Sequence, residues 1–411
     1  MGVTPTTPCP TVDEVHHAPI DRGVPPTDTA VPVRPDYEGA SLATLMPALL
    51  SSPDGEGDTT GRASWLPAPA RQARQLVLLV VDGLGWEQLR QRPTVAPTLS
   101  RAAGAEQPIT SVAPTTTACA LTSITTGRPP AATGMLGYRL ATTDGTILNT
   151  LRWTRGTCLP RDVRMSIPAP QFQPHPPFPG ASRPVPVVAR SEFAGTGFTA
   201  AHLGQSPLHG YKMASTLLVE VRRLLGAGEP FVYVYYDGID KVAHEHGLGE
   251  HYEAELRAVD RLIADLAGDL PPDAAMVVTA DHGQVDVGPN VELLGPDVMD
   301  GVVLLSGEGR FRWLHARPGA AGDVLAAATE RYQSSTWVMS REQLVDEGWF
   351  GGALRDGTAE RIGDVALVPY EPIAFLDPAD TGESSLMARH GSLTAAEMLV
   401  PLLGFGYGPT I

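Results

Sequence analysis

The chain has 411 residues, 43% of them hydrophobic, and a formal net charge of −16. This length supports one large domain with an insertion, or two modest domains. The acidic balance excludes nonspecific nucleic-acid binding, which needs a basic face, but leaves anionic substrates open because bound cations reverse a local field.

Three cysteines, Cys9, Cys119 and Cys158, form no disulfide framework and no metal-ligand spacing, so a reducing compartment is expected. The N-terminal 20 residues lack a basic segment followed by an apolar run, and no segment of ~20 apolar residues occurs. A soluble, cytoplasmic protein with no membrane partner is the expectation.

Residues 1–36 are rich in Pro, Thr and Val and read as an arm over the surface. Residues 41–50 have helical spacing, and 51–62 read as a loop. From Leu76 to Val81 every residue is apolar, as in a central parallel strand buried on both faces. The run closes on Asp82-Gly83, and 84–91 start a helix with Trp86 and Leu89 inward. A short strand at 109–112 leads to Pro114 and three threonines, Thr115 to Thr117, before a helix that Gly127 ends. A threonine at that helix start either caps it or presents a hydroxyl in the positive field where anions bind. An edge strand is predicted at 148–153, and a Pro-dense surface loop or lid at 159–188. Strand-bearing pieces follow at 185–189 and 197–203, with Pro186 confining the first to a sheet edge. Residues 217–225 read as an amphipathic helix.

The third strong strand, 231–236, runs into Asp237, Asp240 and His244. Asp240 and His244 are four apart, so a helical turn puts them on one face; Asp237 and His246 are rivals for the same roles. A long amphipathic helix over 252–266 returns to a buried strand that ends in Asp281-His282-Gly283. This strand–helix–strand order argues a right-handed parallel crossover. Beyond Asp286, segments at 301–305, 311–314, 320–332 and 365–368 suggest a smaller α+β insertion. His390-Gly391 follows, and 394–403 return as helix and strand. The expected division is an arm and short helix (1–70), the main catalytic part (71–286), the insertion (287–385) and a return (386–411). Tyr138, Trp153, Tyr211 and Trp313 read as packing residues before they read as stacking platforms for a base.

Any one Asp-Gly or Asp-His-Gly after a strand is an ordinary polar turn. Their joint occurrence points further. Asp82, Thr117, Asp240, His244, Asp281, His282 and His390 all fall at predicted strand ends or helix starts. Three Asp, three His and a Thr can hold two divalent cations and leave room for a substrate oxygen.

The pieces Val80-Val81-Asp82-Gly83, the Thr-rich helix ending Thr126-Gly127, Asp240-x-x-x-His244, Asp281-His282-Gly283 and His390-Gly391 resemble, in order and over 76–391, the alkaline phosphatase superfamily. The type I phosphodiesterase/nucleotide pyrophosphatase family is the most similar branch. The resemblance implies a doubly wound α/β fold, with a mostly parallel central sheet and helices on both faces. It also implies two metal ions, zinc foremost with manganese or iron as alternatives, and a phospho-threonine intermediate. One metal would take Asp240, His244 and His390; the other would take Asp82, Asp281 and His282. The family's nucleophile lies ten residues before the glycine closing its helix, which selects Thr117. Asn149 is the implied donor to a phosphate oxygen. The implied activity is a phosphodiesterase or nucleotide pyrophosphatase acting on a small-molecule phosphate ester or nucleotide. A phosphomonoesterase, phosphomutase or phosphonate hydrolase, or a non-catalytic metal-stabilised binding protein, are the alternatives. Cys119 lacks the Pro and Arg of a sulfatase-type pattern.

Overall fold

The continuous apolar runs form the centre of a six-stranded sheet, in the order Leu402–Gly406, Ala274–Thr279, Gln75–Val81, Phe231–Tyr236, Val187–Arg190, Leu208–Tyr211. Five strands are parallel and Leu402–Gly406 is antiparallel at one edge. In this computed structural model, residues 30–51, 62–156, 160–380 and 382–407 are described. Residues 1–29 of the arm, 52–61 of the expected loop, and Cys9 and Cys158 lie outside them. Val77 to Val81 have no exposed surface, and burying each such side chain contributes roughly 1.5–3 kcal/mol. Alternation is absent because both faces of the strand are covered, with helices packed around the sheet.

The register fixes where the chemistry lies. Val81 pairs with Tyr236, and Val80 pairs with Thr279. Three neighbouring parallel strands therefore end at one level, and Asp82, Asp237 and Asp281 leave the sheet along one edge. The carboxyl ends of parallel strands are where open α/β sheets bind ligands.

A second sheet, antiparallel and four-stranded, runs Val302–Glu308, Phe311–Ala316, Val365–Pro369, Thr336–Ser340. Here the sequence does alternate. Leu314, Val365 and Leu367 join a small core with Val324 and Ala328 of the Ala321–Tyr332 helix. Phe311, Trp313, Ala366 and Val368 face the other way, into the main core.

Several sequence expectations need correction. Val187–Arg190 is not an edge strand; it lies between Phe231–Tyr236 and Leu208–Tyr211. Pro186 precedes the strand, so its missing N–H is not needed, and its carbonyl accepts from Tyr233 N at 3.1 Å. Gly197–Leu203 is a helix, not a strand. Thr196 Oγ1 caps it by accepting from Thr199 N, and Gly197 admits the Trp153 ring, whose atoms would lie 2.2 Å from a Cβ there. The missing strand is Leu208–Tyr211. The 148–153 edge strand is shorter, Ile147–Asn149, in a four-stranded antiparallel sheet with Arg139–Ala141, Thr154–Arg155 and Arg161–Asp162. The Pro-dense stretch is packed as well as looped. Phe172 and Phe178 are buried, and Phe178 N donates to Thr125 O at 2.7 Å. Trp153, Tyr211 and Trp313 are buried, as packing residues should be. Among the described residues no helix is long and apolar enough to cross a membrane.

Candidate metal centre

The nucleophile candidate sits on a helix that is polar in composition yet wholly buried, Thr117–Thr126. Burial is tolerated because its hydroxyls bond back along the helix. Thr122 donates to Ala118 O, Thr125 to Leu121 O and Thr126 to Thr122 O. Gly127 closes it in the left-handed region, φ 62°, where Pro47 would stand 2.6 Å from a Cβ. Cys119, two residues past Thr117, is fully buried, and burial pushes its thiol well up. The segment that leads into the helix is tied to the residue leaving the Ala274–Thr279 strand: Ser111 Oγ donates to Asp281 O at 2.5 Å.

His390 arrives from far along the chain by strand pairing. Ala388–Arg389 pairs antiparallel with Val285–Asp286, the segment leaving Asp281-His282-Gly283. Asp240 and His244 share one face of the Gly238–His246 helix, with His244 Nε2 3.3 Å from Asp240 Oδ1.

These pieces converge. Thr117 Oγ1 is 3.2 Å from His282 Nε2, which lies 3.5 Å from Asp82 Oδ1 and 3.5 Å from Asp281 Oδ2. His390 Nε2 is 3.8 Å from Asp240 Oδ1, and its ring stacks on His282 with centroids 3.5 Å apart. Donor atoms of Asp240, His244 and His390, and separately of Asp82, Asp240 and His282, lie within 4.8 Å of one another. Asp240 thus stands in both groups, and Asp281 borders the second.

The residues fit divalent cations. Asp82 Oδ1 and Asp281 Oδ2 are buried without a hydrogen-bond partner, an expensive state for a carboxylate unless a cation meets it. Burial, then the neighbouring carboxylates Asp240 and Asp281, push the Asp82 carboxyl well up. Burial likewise raises Asp281. Burial, then His282 and His244, hold His390 well below the usual imidazole range, and so in the neutral ligand form. Each histidine has its Nδ1 against a backbone carbonyl: His244 on Ala388 at 2.7 Å, His282 on Gly283 at 3.1 Å, His390 on Thr115 at 2.8 Å. That arrangement fixes the tautomer and turns all three Nε2 atoms toward the cluster.

The rivals named from sequence are elsewhere. Asp237 is ion-paired with Lys241 at 2.5 Å, and His246 stacks on His251. The Asn149 amide is engaged within its own sheet: its Nδ2 donates to Tyr138 Oη at 2.7 Å, and its Oδ1 accepts from Arg152 N at 2.9 Å.

A family model described as type I phosphodiesterase / nucleotide pyrophosphatase matches residues 76–393. The chain belongs to that family. As a type I phosphodiesterase/nucleotide pyrophosphatase family member it is an enzyme of the phosphoric ester hydrolase class, in a superfamily that depends on divalent metal. No curated protein matches it in sequence. Murine ectonucleotide pyrophosphatase/phosphodiesterase 5 shares its fold, at TM-score 0.59 and 15% identity over 81% of this chain and 88% of that one. An inactive variant of the murine protein in complex with AMP gives TM-score 0.60, with the same identity and coverage. Phosphonoacetate hydrolase from Sinorhizobium meliloti 1021, in complex with phosphonoformate, gives TM-score 0.58 and 20% identity over 83% and 92% of the two chains.

Sequence reasoning missed the side chains that hold this family member's candidate ligands. Tyr235 Oη donates a short hydrogen bond to Asp82 Oδ2. Gln284 Nε2 donates to Asp240 Oδ1 at 2.5 Å. Thr115 Oγ1 accepts from Gly391 N at 3.0 Å and donates to Ser392 O at 2.7 Å, bracing the His390 loop. Gln284 and Thr115 each stand two residues from a candidate site residue, His282 and Thr117, and that proximity was the available signal; Tyr235, on the strand beside the one that ends at Asp82, gave none.

Proposed function

We propose that this family member hydrolyses phosphodiester or pyrophosphate bonds of small phosphate esters or nucleotides, with Thr117 as nucleophile. The observation that carries it is Thr117 Oγ1, at a helix start, 3.2 Å from His282 Nε2 among three carboxylates and three imidazoles. Asp240, His244 and His390 would hold one divalent ion, and Asp82, Asp281 and His282 the other, zinc foremost. Bound there, the ions supply charge neutralisation and make a hydroxyl acidic enough to react. Thr117 Oγ1 forms the new bond to phosphorus as the leaving-group oxygen departs in line. Water then displaces Thr117 Oγ1 from phosphorus and restores the hydroxyl. The helix start adds a positive field for the phosphoryl oxygens.

We place Asn149 in phosphate binding through Tyr138. Its amide donates to the phenol oxygen, so the phenol proton is left to offer to a phosphoryl oxygen. Burial pushes that phenol up to about 12, which keeps the proton in place.

The test is Thr117→Ala. Turnover of bis-p-nitrophenyl phosphate should fall by roughly four orders of magnitude or more, while metal content stays near that of wild type, about two per chain on the ligand-set argument. Full activity in that variant would remove the nucleophile assignment. Phosphonate hydrolysis is the second reading, favoured by the likeness to phosphonoacetate hydrolase. Rates on a diester, a monoester, a nucleotide and phosphonoacetate, with metal measured on the same sample, decide between them.

A further inference from the structure

Arg310 and Glu397 form an ion pair with no exposed side-chain surface on either partner. Arg310 sits at the turn of the antiparallel hairpin Val302–Glu308, Phe311–Ala316, outside the parallel sheet. All five guanidinium N–H groups are used. Nε and Nη2 reach the two oxygens of Glu397 at 2.8 Å each, Nη1 reaches Glu371 O and Ile373 O at 2.8 Å, and Nη2 also reaches Pro369 O at 3.2 Å. Such a pair is costly to bury and is not in itself a source of stability.

What Glu397 does with its remaining capacity gives it a role. Its Oε1 accepts from Ser392 N at 3.0 Å, and its Oε2 from Thr394 Oγ1 at 2.6 Å. The carboxylate therefore holds the loop that begins with His390. Its backbone carbonyl accepts from Gly283 N at 2.8 Å, and so holds the loop that carries Asp281 and His282. One residue grips both stretches whose imidazoles stack at 3.5 Å. Gly283 makes this approach possible, because a Cβ there would stand 2.0 Å from Ala396 O.

We infer that the Arg310–Glu397 pair is a clasp that sets the spacing between the His282 and His390 sides of the centre, and with it the affinity for the cation held through His390. Neither residue touches the reacting atoms; both are positioning residues. The inference rests on the metal reading above.

The experiment is Zn2+ binding by chelator competition on the full chain, for wild type, Glu397→Gln and Arg310→Lys. A urea denaturation curve for each protein reports folding. The amide leaves Arg310 uncompensated, and the ammonium cannot make the two-pronged contact. In each folded variant one Zn2+ binding step should weaken by about 10–100-fold, and raising free Zn2+ should restore kcat, which a folding defect would not allow. If the buried-pair variants do not fold, Thr394→Val removes one hydrogen bond from Glu397, and a smaller weakening of the same step is expected. A folded variant with wild-type Zn2+ affinity overturns the clasp. Failure of wild type itself to take up Zn2+ overturns the metal reading instead, so the two failures are distinct.

Discussion

The two donor groups of the centre differ in depth. Asp281 and His282 have no exposed surface, and Asp82 only 3%. His244, by contrast, exposes 22% of its side chain and His390 11%. The first group comes from the ends of two adjacent strands, Gln75–Val81 and Ala274–Thr279, in register. The second comes from one face of a helix and a loop that returns after a long excursion. A cation in the proposed deep set would meet two orphaned carboxylate oxygens and little water. A cation in the proposed shallower set would stand beside solvent, where exchange should be faster and an incoming substrate could share it.

The largest effect expected from this contrast is in the deep group. Asp281→Asn should lower kcat by about three orders of magnitude or more without rescue by added Zn2+, measured on bis-p-nitrophenyl phosphate. Rescue at moderate Zn2+ would erase the contrast. His244→Ala should be milder, weakening Zn2+ by about 10–100-fold and regaining activity as Zn2+ is raised. Dialysis of wild type against a chelator should release metal in two phases, the faster matched in size by what His244→Ala loses. Tyr235→Phe comes next. It deletes the hydroxyl on Asp82 and should cost about tenfold in metal affinity, through the slow phase alone.

The smallest effect lies outside both groups. Glu308 is buried, accepts from Tyr138 N at 3.1 Å through one oxygen and leaves the other without a partner. Burial holds its carboxyl up at about 8, against 4.5 in the unfolded chain. Between these values the folded state binds the proton more tightly, so this group lowers stability as pH rises through the window. Glu308→Gln removes that slope. Its Tm minus that of wild type should grow from pH 5 to 8 and level off above.

The strands of the parallel sheet were legible because apolar runs such as 76–81 and 231–236 have few other uses. Asp82, Asp281 and His282 were legible because they follow such runs, Thr117 and Asp240 because they stand in the first turn of a helix; His244 was legible only as one turn after Asp240, and His390 only through the family resemblance. What failed was local. The 197–203 stretch has apolar residues that suit either period, and only its Thr196 cap and the Trp153 ring against Gly197 decide for a helix. Pro186 looked like an edge marker, yet one residue of offset made it harmless. Asn149 is a different case: it was chosen by order along the chain, and its amide is engaged by Tyr138 and Arg152, which leaves it the indirect role proposed above. The supports were illegible for another reason: Tyr235 reaches Asp82 across 153 positions and Arg310 reaches Glu397 across 87, and neither contact leaves a local pattern.

Cys119 carries one further consequence. It shares a helix with Thr117 and has no exposed surface, and its thiol stays protonated far above neutral pH. Alkylating agents and peroxide attack the thiolate, and only where they can reach it. A sulfur two positions from the proposed nucleophile is thereby chemically silent, and exposure to iodoacetamide should leave turnover intact as long as the protein stays folded.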